Sequence, residues 1–129
     1  MIIKNIKIFG EDKCFTPGAI EIKDGKFVAI GENLADDTEE EFDGKGCLAI
    51  PGLVDVHFHG CVGDDFCDAT PEAIAHIAEH EAAVGVTSIC PATMTLSEED
   101  LHRIMKNGGD YKGKKGAKLV GINMEGPFI

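Results

Sequence analysis

Apolar positions along the first 50 residues alternate with polar ones, the period-two pattern of short antiparallel strands with one face turned inward. The clearest pair lies in AIEIKDGKFVAIG. Ile20 and Ile22 mark one arm, Val28 and Ile30 the other, and Asp24-Gly25 between them supplies the positive φ angles of a tight hairpin turn. The next stretch, residues 32 to 44, concentrates Glu32, Asp36, Asp37, Glu39, Glu40, Glu41 and Asp43 among few apolar residues and is expected to be a solvated loop. After Pro51 the pattern changes. Apolar runs (LVDVHF, VTSIC, AKLVGINM) alternate with helical periodicity, which gives β-α-β-α-β and a parallel sheet. Thr70 is the expected N-cap of the first helix, with Pro71 at its first position, Glu72 in its first turn, and Ile74, Ile77 and Ala78 as its buried stripe. Ser97 starts the second helix, with Asp100 three residues on and Leu96 and Leu101 placed to staple it, and Gly108 and Gly109 are expected to end it.

Composition narrows the function classes. The 129 residues are 43% hydrophobic, the share of an ordinary globular protein. The formal charge of -11 disfavours nucleic acid and anionic membrane surfaces as partners. No apolar segment has the length of a signal peptide or a membrane helix. Cys14, Cys47, Cys61, Cys67 and Cys90 show no paired spacing and leave one over, which suits reduced thiols and a cytoplasmic setting.

Chemistry concentrates at two apolar run-outs. PGLVDVHFHG carries Asp55, His57 and His59 at alternate positions, so that on a strand all three project to one face and two imidazoles can reach one cation. AKLVGINMEGPF ends in Glu125, a carboxylate where a buried strand stops, which is costly there unless paired or bound to a cation. Both sets fall at the same end of the expected sheet. Imidazole plus carboxylate suits zinc or iron(II). His76-Ile77-Ala78-Glu79-His80 also matches the inverted zinc-protease pattern, but helical phase turns His76 and His80 away from the apolar stripe and toward solvent. His102 is read as a surface residue, and Cys61 and Cys67 as packed or loosely exposed thiols.

Three stretches together, PGLVDVHFHG, GVTSICPATMT and GINMEGPF, resemble the N-acetylglucosamine-6-phosphate deacetylases of the amidohydrolase superfamily. The resemblance covers the whole chain. It implies a small antiparallel, β-sandwich-like domain over residues 1–50, followed over residues 51–129 by the opening of a (β/α)8 TIM barrel with about three strands and two helices. It further implies one or two divalent ions, zinc or iron, that activate water to hydrolyse the acetamide of an amino-sugar phosphate. By position Glu125 matches the family's glutamate ligand, and His57 and His59 match the pair that binds a second metal in binuclear members. In the family the catalytic aspartate and two further histidines lie beyond the position of Ile129, so the chain by itself is expected to lack turnover and to be poorly soluble or associate through an open sheet edge. The full-length protein is expected to be a homo-oligomer. Two other readings remain: another amidohydrolase, dihydroorotase-like or a deaminase, and a non-catalytic fragment that pairs with another chain.

Overall fold

A computed structural model describes residues 1–32, 34 and 40–128 of the chain. Its Cα positions group into two compact units, Met1–Pro51 and Gly52–Ile129. Among the described residues the two are mixed α/β, with strands predominating and two α-helices.

In the first unit β1 (Ile2–Phe9), β2 (Phe15–Lys23) and β3 (Lys26–Gly31) form an antiparallel meander. The β2–β3 turn is the expected one, with Asp24 at φ 51° and Gly25 at φ 70°. Its second arm is not a simple alternation. A bulge at Glu21/Ile22 pairs Ile22 with Phe27 and puts Val28 out of the pairing; Val28 and Ile30 are exposed, while Ile20 is buried. Acidic density also proved a poor guide to residues 41 to 43. They form β4 (Glu41–Asp43), which runs parallel to β1, because Lys4 pairs with Glu41 at 3.2 Å and the Asn5 amide donates to Asp43 at 3.0 Å. Asp36, Asp37 and Glu39 lie outside the described residues. β5 (Leu48–Ala49) continues along the same edge of β1, beyond an irregularity centred on Asn5 at φ 53°. The described residues of this unit therefore make one mixed five-stranded sheet instead of a purely antiparallel set.

The second unit holds the expected parallel order. β6 (Leu53–Asp55), β9 (Val86–Ile89) and β10 (Lys118–Leu119) form a parallel sheet in the order β10-β9-β6, joined by α1 (Pro71–Ala83) and α2 (Glu98–Asp110). Between β6 and α1, β7 (Gly60–Cys61) and β8 (Asp64–Asp65) make a small hairpin, followed by a 3-10 turn over Phe66–Asp68. Both helices start where the caps predict. Thr70 Oγ1 accepts from the Ala73 N–H at 3.2 Å, and Ser97 Oγ accepts from the Asp100 N–H at 3.2 Å. Each such cap contributes about 1 kcal/mol.

Ile74, Ile77 and Ala78 are buried as expected, and the stripe extends to Ala73 and Glu81. Ile77 and Ala78 pack with Ile89 and Ala117, while Ile74 packs with Phe66 and Ile104 of α2. The glycine pair does not stop α2. Gly108 sits inside it because a Cβ there would come within 2.7 Å of Ile122 and 3.0 Å of the Phe66 ring, so its smallness serves close packing. The helix ends at Tyr111, whose N–H donates to the Asn107 carbonyl and whose ring packs against the Phe66 cluster.

β6 and β10 each pair on one side only among the described residues, and Leu53, Val54, Val56, Val120 and Met124 stand exposed on or beside them. An open edge with apolar neighbours templates pairing with another chain. The isolated chain is therefore expected to show an apparent mass in light scattering that rises with concentration, and Val120→Lys to reduce that rise. A strictly monomeric chain across the concentration series would contradict this.

Candidate metal centre

The strand expected to carry the histidine pair stops early. β6 ends at Asp55, whose Oδ1 accepts the backbone N–H of His57 at 3.0 Å and so turns the chain out of the ladder. His57 and His59 thus lie in the segment after the strand, and Asp55 serves as the turn residue that places them. The segment is tied down despite leaving the sheet. The Phe58 carbonyl accepts from Ala92 N–H at 2.7 Å, and the His59 carbonyl accepts from Phe66 N–H at 2.8 Å.

Glu125 is positioned from the other side of the sheet. Beyond β10 the chain stays in register with the end of β9, with Asn123 N–H on the Pro91 carbonyl and Thr93 N–H on the Asn123 carbonyl, both at 2.9 Å. Thr93, fully buried, accepts the Glu125 N–H on its hydroxyl at 3.0 Å, and Thr95 donates its hydroxyl to the Glu125 carbonyl at 3.1 Å. Two threonines therefore fix the main chain of Glu125 on both sides.

The three side chains converge. Ligand atoms of His57, His59 and Glu125 all lie within 4.8 Å of one another. Glu125 Oε2 is 3.5 Å from His59 Nε2 and 4.0 Å from His57 Nε2, and the two rings meet edge to face with centroids 5.5 Å apart. Donors at about 2.1 Å from a tetrahedral zinc stand roughly 3.4 Å apart, so the spacing needs only a small contraction to close on one ion.

Protonation is set by neighbouring groups. His59 Nδ1 faces the Ala92 carbonyl at 3.2 Å, so the proton belongs on Nδ1 and the Nε2 lone pair points toward Glu125. His57 differs. Its Nδ1 lies 3.0 Å from the Asn123 amide nitrogen, which also reaches the Val56 carbonyl at 3.4 Å. For His57 Nε2 to act as a ligand, Nδ1 must carry the proton, and the Asn123 amide must then turn its oxygen toward it. Asn123 and Thr93 escaped the sequence reading. Asn123 is two residues before Glu125 and so on the same face, a signal available from strand alternation. The role of Thr93 depends on a cross-strand register that no local pattern reveals.

The other candidates lie apart from this cluster. His76, in the inverted protease pattern, is exposed and pairs with Asp64 at 3.0 Å. His80 is not the fully solvated residue that helical phase predicts. It is half-buried beside Cys61 and Glu81, because the β7–β8 hairpin covers that side of α1. His102 is exposed. Cys67 packs beside the Phe66 cluster and accepts the Met94 N–H at 3.3 Å, and burial first of all pushes its thiol pKa up. The Cys61 thiol is likewise pushed up, by burial and then by the Glu81 carboxylate. No described helix is long and apolar enough to cross a membrane.

No protein-family model matches the chain. Among curated proteins it is 28% identical over 136 residues to N-acetylglucosamine-6-phosphate deacetylase of Bacillus subtilis, a match that covers all of this chain and 34% of that protein. It is 35% identical over 99 residues to the Bos taurus deacetylase of the same name, covering 70% of this chain and 23% of that one. Among solved structures, N-acetylglucosamine-6-phosphate deacetylase from Thermotoga maritima superposes with a TM-score of 0.80 at 27% identity, over all of this chain and 33% of that one. The Mycobacterium smegmatis deacetylase, a variant solved in complex with N-acetyl-D-glucosamine-6-phosphate, gives 0.81 at 25% identity, again over all of this chain and 33% of that one. A D-hydantoinase and a dihydroorotase follow at a TM-score of 0.60 each. The chain spans about a third of the length of the first curated relatives it matches. Along its whole length it is similar to N-acetylglucosamine-6-phosphate deacetylases and corresponds to an N-terminal portion of one.

Proposed function

We propose that this chain supplies part of the metal centre of an amidohydrolase that removes the acetyl group from N-acetylglucosamine 6-phosphate, yielding glucosamine 6-phosphate and acetate. Residues 1–50 then form the small β-domain, and residues 51–129 the opening strands of a (β/α)8 barrel whose active site lies at the strand C-termini. The observation that carries the reading is the convergence of His57, His59 and Glu125 beyond the C-terminal ends of β6 and β10.

The donor set fits a divalent cation of the zinc or iron(II) class, held by His59 Nε2, Glu125 and, after the Asn123 amide turns, His57 Nε2. The ligand atoms of all three residues lie within 4.8 Å of one another, which favours one shared cation over a separate ion for the histidine pair. When bound, such a cation supplies a Lewis acid for the acetamide carbonyl and a water of lowered pKa. This chain's residues contribute placement and charge. Glu125 adds the one formal negative charge of the cluster, and its threonine-held backbone aims the carboxylate. The Ala92 carbonyl keeps the His59 proton on the ring nitrogen away from the cluster.

The dihydroorotase and hydantoinase similarities, lower in TM-score, favour the acetylated sugar phosphate over a cyclic amide as substrate. The polypeptide that carries this segment is expected to release acetate from N-acetylglucosamine 6-phosphate and to lose that activity on Glu125→Gln. Turnover of dihydroorotate or a hydantoin, with none of the acetylated sugar, would transfer the assignment to the cyclic amides.

A further inference from the structure

Cys61, at the end of β7, and His80 and Glu81, near the end of α1, place a thiol sulfur, an imidazole nitrogen and a carboxylate oxygen within 4.8 Å of one another. Glu81 is 8% exposed and makes no ion pair among the described residues. Its carboxylate acts directly on the Cys61 thiol, so the sulfur and the carboxylate already face each other. We propose that these three residues form a second cation site, selective for a zinc-like ion and separate from the His57/His59/Glu125 cluster.

The chemistry of the donors supports that choice. A thiolate and a carboxylate together carry two negative charges, which one dication neutralises, and the sulfur makes the site softer than the all-nitrogen and oxygen cluster. On binding, the Cys61 S–H proton passes to solvent and a sulfur–metal bond replaces it. Three protein ligands leave a fourth position, and the half-exposed His80 side is where water enters it. The frame is already in place. Cys61 packs against the Ile77, Ala78 and Ile89 cluster, and the His76–Asp64 pair at 3.0 Å holds the same hairpin to the same helix. A cation here clamps the hairpin onto α1, two residues along the chain from His59.

The test uses the Glu125→Gln variant, in which the first cluster is impaired, titrated with cobalt(II) alone. A near-ultraviolet thiolate-to-cobalt charge-transfer band is expected. It should disappear in Cys61→Ser and weaken in His80→Gln, a substitution at a half-exposed position that leaves the core intact. In the unsubstituted chain, zinc should slow alkylation of Cys61, located by peptide mapping, and leave Cys14 and Cys47 unaffected. Absence of the band, its survival in Cys61→Ser, or equal alkylation of Cys61 with and without zinc would each overturn the proposal. None of these results depends on acetate release, so this site and the proposed function stand or fall separately.

Discussion

Glu125→Gln is expected to lower divalent-metal affinity at the histidine cluster by about 100-fold or more, with no measurable change in the thermal melt. Loss of a mere supporting contact around a metal typically costs 10 to 100-fold, so loss of an anionic ligand sits at or beyond the top of that range. The substitution preserves shape and removes charge. Because the main chain at 125 is fixed by Thr93 and Thr95, glutamine occupies the same place and presents a neutral, weaker donor. The side chain is 38% exposed, which is why folding should be indifferent to the change. Competition against a chromogenic chelator, run beside a melt, separates the two quantities. Unchanged affinity with an intact fold would remove Glu125 from the ligand set.

A substitution at a residue that is itself no ligand should have the largest effect on stability. Gly116 lies at φ +80°, and a Cβ there would stand 2.4 Å from the carbonyl carbon and oxygen of Ala78 and 2.6 Å from the Glu79 nitrogen, all backbone atoms of α1. Helix backbone cannot retreat as a flexible side chain would. Gly116→Ala adds a left-handed penalty of about 1–2 kcal/mol to an overpacking cost of roughly 1–3 kcal/mol, so a loss near 3 kcal/mol is expected. It should also break the 2.8 Å bond from the Ala117 N–H to the Ala78 carbonyl, which docks the start of β10 on α1. The urea midpoint of the second unit reads this directly. Gly109→Ala makes the control, since nothing lies within 4 Å of its added Cβ and alanine favours the helix. Equal midpoints for the two variants would refute the close-approach explanation.

Features written locally in the chain were legible before any coordinates. Thr70, Pro71 and Ser97 marked helix starts because a cap is a matter of a few adjacent residues, and Ile74, Ile77 and Ala78 marked the buried face because helical period alone fixes it. The Asp24-Gly25 turn was legible for the same reason. What escaped depends on partners distant in sequence. Glu41, Phe42 and Asp43 form a strand only because Lys4 and Asn5 meet them from the far end of the unit. Gly108 reads as a helix stop until Ile122 and Phe66 are seen pressing on it. His80 reads as solvated until the β7–β8 hairpin is placed over it.

The candidate site divides along the same line. Residue types and their spacing pointed to His57, His59 and Glu125. The turn made by Asp55, the tautomer set by Ala92 and the amide of Asn123 required the register of the strands.

Tyr111 gives the molecule a practical asymmetry. It is the sole tyrosine in a chain without tryptophan, and it caps α2 against the Phe66 cluster. Intrinsic emission therefore tracks the helix-bearing unit and is blind to the sheet of β1 to β5. A denaturation curve recorded by fluorescence and one recorded by far-ultraviolet dichroism will coincide only if the two units come apart together.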